Sequence, residues 1–82
     1  MHWNIEDGQL VKEFTFKNFT EAVGFVDRIV PVANGDDHHP DILVHSYKKV
    51  KIFLMTHSEN KITEKDHVLA SKIDALYETS HV

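Results

Sequence analysis

Trp3-Asn4-Ile5-Glu6-Asp7-Gly8-Gln9-Leu10-Val11-Lys12-Glu13-Phe14-Thr15-Phe16 reads as two short strands around a tight turn, and the residues after it change period. Asp7-Gly8 supplies the two central residues of a mirror-image β-turn, whose backbone twist matches that of paired strands. In the second strand Leu10, Phe14 and Phe16 share one face, with Lys12 the exception; Glu13 and Thr15 lie on the other. From Phe19 onward the spacing is helical. Phe19, Ala22, Val23, Val26, Ile29, Val30 and Ala33 make one stripe of an amphipathic helix, and Asn18 with Glu21 three residues on reads as its N-cap. Pro31 cannot donate to the carbonyl of Asp27. A kink or an early end is expected there, with Asn34-Gly35 closing the segment.

The same alternation returns once. Ile42-Leu43-Val44-His45-Ser46-Tyr47 is a short third strand, and Val50, Ile52 and Leu54 alternate with Lys49, Lys51 and Phe53 in a fourth. A last helix opens at Thr63-Glu64-Lys65-Asp66, a capping box with Asp in place of Glu, and carries the stripe Leu69, Ala70, Ile73, Leu76 and Tyr77. Hairpins make antiparallel neighbours, and two one-sided helices need one sheet face to cover. The expected fold class is therefore α+β: a four-stranded antiparallel sheet with helices packed on one face, in the order strand-strand-helix-strand-strand-helix. Residues 1–82 form a single domain in this reading.

A chain of 82 residues hides only about 60–65% of its unfolded surface, so the core is thin. Pairing with a copy of itself is a common remedy. The hydrophobic fraction of 41% and charged fraction of 27% are those of a globular protein. No apolar run approaches the roughly 18 residues of a membrane span, and no basic segment precedes an apolar one at the N-terminus, so no secretory signal is expected. Cysteine is absent, which excludes disulfide scaffolds, thiol catalysis and thiolate metal sites and fits a cytoplasmic location. The net charge of −4 argues against direct nucleic-acid binding. The Lys48-Lys49-Val50-Lys51 cluster is too small to reverse it. Seven histidines stand out, because only histidine ordinarily titrates between pH 5 and 8.

The sharpest local feature is Asp36-Asp37-His38-His39-Pro40-Asp41. Two adjacent imidazoles sit in a connection between helix and strand, where working residues concentrate. Pro40 restricts His39 to extended conformations, and Asp37 is placed to orient one imidazole through its charge. Taken alone, the tripeptide also reads as a solvated polar loop. Thr56-His57 closes the fourth strand, and in an antiparallel hairpin that end meets the start of the third. His57 is thereby carried back towards His38 and His39. Asp66 lies in the first turn of the last helix, where capping is the ordinary role of a carboxylate. Metal binding is the competing reading for a histidine cluster, but no HExxH helix or cysteine pair supports it. His2, His45, His67 and His81 read as surface or packing residues. Ser46, Ser58, Ser71 and Ser80 lack a nucleophile elbow, and no glycine-rich phosphate cradle is present.

The chain resembles the pterin-4a-carbinolamine dehydratases, also called the dimerization cofactor of hepatocyte nuclear factor. The resemblance runs from Trp3 to about Leu76. It is carried by Phe14-Thr15-Phe16-Lys17-Asn18-Phe19, Ala22, Gly24-Phe25, His38-His39-Pro40, Tyr47, Lys49-Val50, Thr56-His57, Ile62-Thr63, Asp66, Leu69-Ala70 and Ile73. It implies a hydro-lyase that dehydrates 4a-hydroxytetrahydrobiopterin to quinonoid dihydrobiopterin, in tetrahydrobiopterin recycling, with no cofactor and no metal. It implies His38 and His57 as the acid–base pair and His39 as a pterin-positioning group. Asp37, Pro40, Thr56, Lys65 and Asp66 are implied as further substrate-binding positions around the pocket. A homodimer or homotetramer is implied as well. The alternative it carries is a non-catalytic module that binds a transcription factor as a dimerization cofactor. The sequence departs from the family pattern at Asn34, where members often have a charged residue, and in the extra residue between Pro40 and Tyr47, read as a β-bulge in the third strand.

Overall fold

The sheet grows from two hairpins whose inner faces are the alternating apolar residues of the strands. A computed structural model describes residues 2–79. Strands β1 (Asn4–Glu6) and β2 (Gln9–Thr15) flank the Asp7-Gly8 turn; helix α1 (Phe19–Asp36) follows, then β3 (Asp41–His45), β4 (Lys49–Leu54) and helix α2 (Glu64–Thr79). Asp7 and Gly8 both take the positive φ that a mirror-image turn requires, 50° and 76°. All neighbours are antiparallel, in the spatial order β1-β2-β4-β3. The fold is the α+β sandwich that the pattern of periods implies.

Register places Leu10, Lys12 and Phe14 opposite Leu54, Ile52 and Val50, with Ile42 and Val44 continuing the same face on β3. Against that face pack Ala22, Phe25, Ile29 and Ala33 of α1 and Leu69, Ala70 and Ile73 of α2. Lys12, the polar exception, is answered from the helix layer. Its Nζ lies 2.6 Å from Asp74 Oδ1 and over the rings of Trp3 and Phe14, while Trp3 Nε1 donates to Asp74 Oδ2 at 3.1 Å. The Lys12 side chain is 9% exposed and that of Asp74 23%, so the cation suffers more from losing its partner. Breaking a buried pair costs about 3–5 kcal/mol, less where water reaches the survivor. Asp74→Ala is expected to destabilise by about 2–3 kcal/mol and Lys12→Met by about 1 kcal/mol, as read by urea unfolding. Equal losses would contradict this burial argument.

Two expectations are corrected. Helix α1 neither stops at Pro31 nor closes on Asn34-Gly35; it runs to Asp36, with Pro31 inside it. Asp27 and Pro31 both lie on the exposed side, where water takes the place of the donor that proline lacks. The end is set instead by Asp37, which adopts the left-handed conformation with φ 51° and ψ 42°. The second correction concerns the third strand. It ends at His45, not Tyr47, and its register with β4 is unbroken from Asp41↔Phe53 to His45↔Lys49, without a bulge. The extra residue is taken up in the turn, where Ser46 and Tyr47 have φ of 51° and 53°.

Candidate active site

The connection from α1 to β3 and the entry into α2 meet at one end of the helix layer. His38 N–H reaches back to the Ala33 carbonyl at 3.1 Å, and Asp37 N–H to that of Asn34 at 3.2 Å. This left-handed reversal drives the His38 ring inward until only 9% of the residue is exposed. It meets Asp66, 28 residues away, in the first turn of α2: His38 Nε2 lies 2.5 Å from Asp66 Oδ1. Asp66 is fully buried. Its second oxygen accepts from Thr56 Oγ1 at 2.9 Å and from Thr63 N–H at 2.8 Å. Thr56 and Thr63 are joined through their hydroxyls at 2.6 Å. The Thr63 N–H bond is one arm of a helix cap, so the carboxylate both starts α2 and holds the imidazole.

Burial pushes the Asp66 carboxyl up, but hydrogen bonds from His38, Thr63 and Thr56, with the charge of His38, outweigh it and hold the group below the usual carboxylate range. An ionised carboxylate only accepts, so the proton of this pair sits on His38 Nε2. Among the described residues no buried side-chain nitrogen or oxygen lacks a partner. With Nε2 engaged by Asp66, Nδ1 is the ring nitrogen left for a ligand, and His38 lines a groove of about 270 Å³ with Asp36, Glu64, Lys65 and Val68. That volume lies just under the roughly 300–1,000 Å³ of small-molecule pockets and suits a small ring system. Lys72 bridges to Asp36 at 2.7 Å and ties the two helices together beside the groove.

The other candidate residues are placed less uniformly. His39 is exposed, with Nε2 2.9 Å from Asn34 Oδ1, and it lines a separate groove with Pro40 between α1 and β3. His57 is exposed on the turn after β4, which the Thr56↔Lys61 bridge closes. It directly follows the threonine that donates to Asp66, so its turn begins on the same polar knot. Asp37 does not orient an imidazole as expected. It is the helix cap, and the two rings take their partners from Asp66 and Asn34. Lys65 lines the His38 groove. Two partnerships were not read from the sequence, Thr63 with Thr56 and Asn34 with His39, although Asn34 stood out as a departure from the family pattern. The capping-box pattern marked Thr63, but its hydroxyl contact is tertiary. Among the described residues, no group of three or more His, Cys, Asp or Glu side chains is placed to hold a metal ion, and no helix is long and apolar enough to cross a membrane.

Fold and dyad together define a class: small open-faced α+β domains that hold a histidine against a buried carboxylate at the edge of the helix layer. The family model described as Pterin 4 alpha carbinolamine dehydratase matches residues 1–76, and the chain belongs to that family. It is 50% identical over 74 residues to a protein of Sulfolobus acidocaldarius provisionally named pterin-4-alpha-carbinolamine dehydratase, covering 90% of this chain and 80% of that one. A protein of the same provisional name from Picosynechococcus sp. is 45% identical, with 90% and 79% covered. Among solved structures, a transcriptional coactivator/pterin dehydratase from Brucella melitensis superposes with a TM-score of 0.84 at 36% identity, covering 92% of this chain and 81% of that one. A pterin dehydratase-like RuBisCO assembly factor of the alpha-carboxysome shares the fold, with a TM-score of 0.78 at 22% identity over 94% and 90% of the two chains.

Proposed function

We propose that the protein dehydrates 4a-hydroxytetrahydrobiopterin to quinonoid dihydrobiopterin by histidine acid–base catalysis, as a step in tetrahydrobiopterin recycling. The observation that carries this reading is the buried Asp66 carboxylate holding His38 Nε2–H beside a groove that His38 itself lines. The reaction breaks one carbon–oxygen bond and one ring N–H bond and forms a carbon–nitrogen double bond, with release of water. It needs a base for the ring proton and an acid for the departing hydroxyl. His38 takes the ring proton at Nδ1, and His57 on the adjoining turn protonates the hydroxyl. An imidazole can both give and take a proton, and each such transfer is worth about 10²–10⁴-fold. His39, Pro40, Thr56, Lys65 and Asp66 shape or support the pterin site, and Asp37 supports it as the helix cap.

The competing reading is a binding module. Two observations favour it: the Brucella melitensis protein is described as a transcriptional coactivator as well as a pterin dehydratase, and Phe19, Val23 and Val30 are exposed along α1. Turnover of enzymatically generated carbinolamine separates the two. His38→Ala and His57→Ala are each expected to lower kcat by about 10²-fold or more with circular dichroism unchanged. Full rates in both variants would exclude the dehydratase mechanism and leave the module.

A further inference from the structure

The turn that carries His57 is closed by its own main chain. Thr56 N–H donates to the Lys61 carbonyl at 2.9 Å and Lys61 N–H returns to that of Thr56 at 3.4 Å. Within it, Glu59 N–H reaches the Thr56 carbonyl at 3.1 Å and Asn60 N–H that of His57 at 3.2 Å. These bonds stay inside the turn. Its tie to the helix layer is the Thr56 side chain, in a residue only 3% exposed, whose hydroxyl meets Asp66 Oδ2 at 2.9 Å and Thr63 Oγ1 at 2.6 Å. The protons of this knot have one arrangement. The ionised Asp66 only accepts, so the single Thr56 proton goes to Oδ2. The 2.6 Å contact is then donated by Thr63, whose oxygen accepts the Lys65 N–H at 3.3 Å. The donors run one way, from Lys65 through Thr63 and Thr56 to Asp66, whose other oxygen faces His38.

We propose that Thr63 is a positioning residue: through its hydroxyl it fixes Thr56, and with it the His57 turn, in register with the His38–Asp66 pair. The inference rests on the dehydratase reading above and adds the contact that holds the acid in place against the base. Helix capping asks less of this residue. An N-cap hydroxyl needs only to accept from the first turn, and Thr63 does so with Lys65 N–H. Its proton is directed away from the helix, to the residue that leads into His57. With that donor removed, the buried Thr56 oxygen keeps only its bond to Asp66, and the exposed turn beyond it loses its second hold on the helix layer. In a buried chain of hydrogen bonds each link strengthens the next, so the loss is felt along the knot.

The test combines amide hydrogen exchange with steady-state kinetics on the full chain. Thr63→Val keeps the shape and removes the hydroxyl; Thr63→Ser keeps the hydroxyl. In Thr63→Val the Glu59 and Asn60 amides are expected to exchange about 2–10-fold faster, the effect of one ordinary hydrogen bond. The same variant is expected to lower kcat by about 2–10-fold with KM held within about twofold. Thr63→Ser is expected to return both readouts to near the wild-type values. A residue that only capped α2 would speed exchange in the first turn of that helix and leave Glu59 and Asn60 unchanged. That result would overturn the proposal, as would a loss of kcat that serine does not restore. Exchange is read whether or not the chain turns over. An inactive wild type defeats the dehydratase reading, whereas an active wild type with unaltered kcat in Thr63→Val defeats this one.

Discussion

Asp66→Asn is expected to lower kcat by about 10²–10⁴-fold while the domain stays folded. The amide is the same size as the carboxylate and can still accept from Thr63 N–H and the Thr56 hydroxyl through one oxygen. What it presents to His38 is then an N–H, not an acceptor. His38 Nε2, now 2.5 Å from a carboxylate oxygen, must become the acceptor, and the ring proton moves to Nδ1. The nitrogen left for the substrate would carry a proton where the reaction needs a lone pair. A wrong tautomer held in correct geometry is a large loss in histidine catalysis generally. His38 ¹⁵N signals would show the exchange directly, and a variant with native kcat would remove His38 from the proton transfer.

The same substitution carries a pH consequence of known sign. The folded Asp66 carboxyl lies below the usual carboxylate range. Its contribution to stability is therefore present above the unfolded pKa and is lost as pH falls through the folded one. Asparagine cannot titrate. Thermal melts of wild type and Asp66→Asn should differ most at neutral pH and converge in acid, where the native carboxylate is protonated. A gap that widened towards low pH would contradict the assigned direction.

Periodicity made the element order and the sandwich legible, because one-faced burial forces a repeat of two in strands and near 3.6 in helices. Ends were harder. Pro31 is a local objection to a helix, but its position on the exposed side let water meet the orphaned carbonyl, and the apolar stripe through Ala33 prevailed. The turn after β3 hid its extra residue because Ser46 and Tyr47, unlike glycine, do not announce positive φ. The candidate site was legible as histidines but not as partnerships. Sequence adjacency suggested Asp37 for an imidazole, whereas the left-handed cap turns His38 towards a carboxylate far along the chain. A capping box gave Asp66 a local role and the family resemblance set it near the pocket, but neither named His38 as its partner. His39 and Asn34 meet only because the helix continues past the point where proline suggested it would stop.

Phe14→Ala is expected to be the most destabilising of these substitutions, by about 3–5 kcal/mol. Phe14 is 2% exposed and stands at the centre of the aromatic cluster. Its ring centroid lies 4.9 Å from Tyr77, 5.2 Å from Phe25 and 6.0 Å from Trp3, in tilted or edge-on arrangements. The Lys12 ammonium approaches the same ring at 5.0 Å. Truncation would lose apolar burial, leave a void that a sheet strand between two neighbours cannot close, and remove a π-face from a nearly buried cation. A domain of 82 residues is stable by only roughly 4–12 kcal/mol in total, so a loss of this size takes a large share. The melting temperature should fall by about 15–30 °C. Phe19→Ala is the matched control: the same side chain, 56% exposed at the start of α1, where surface changes stay within about 0.5 kcal/mol. The cluster joins β2 to α1 and α2, the two helices whose ends carry His38 and Asp66, so turnover in Phe14→Ala should fail on heating together with the fold. Asp66→Asn should instead lose turnover at temperatures where the fold is intact. If Phe14→Ala melted like the Phe19 variant, the core would not be organised around that ring, and the rigidity that holds His38 against its carboxylate would need another source.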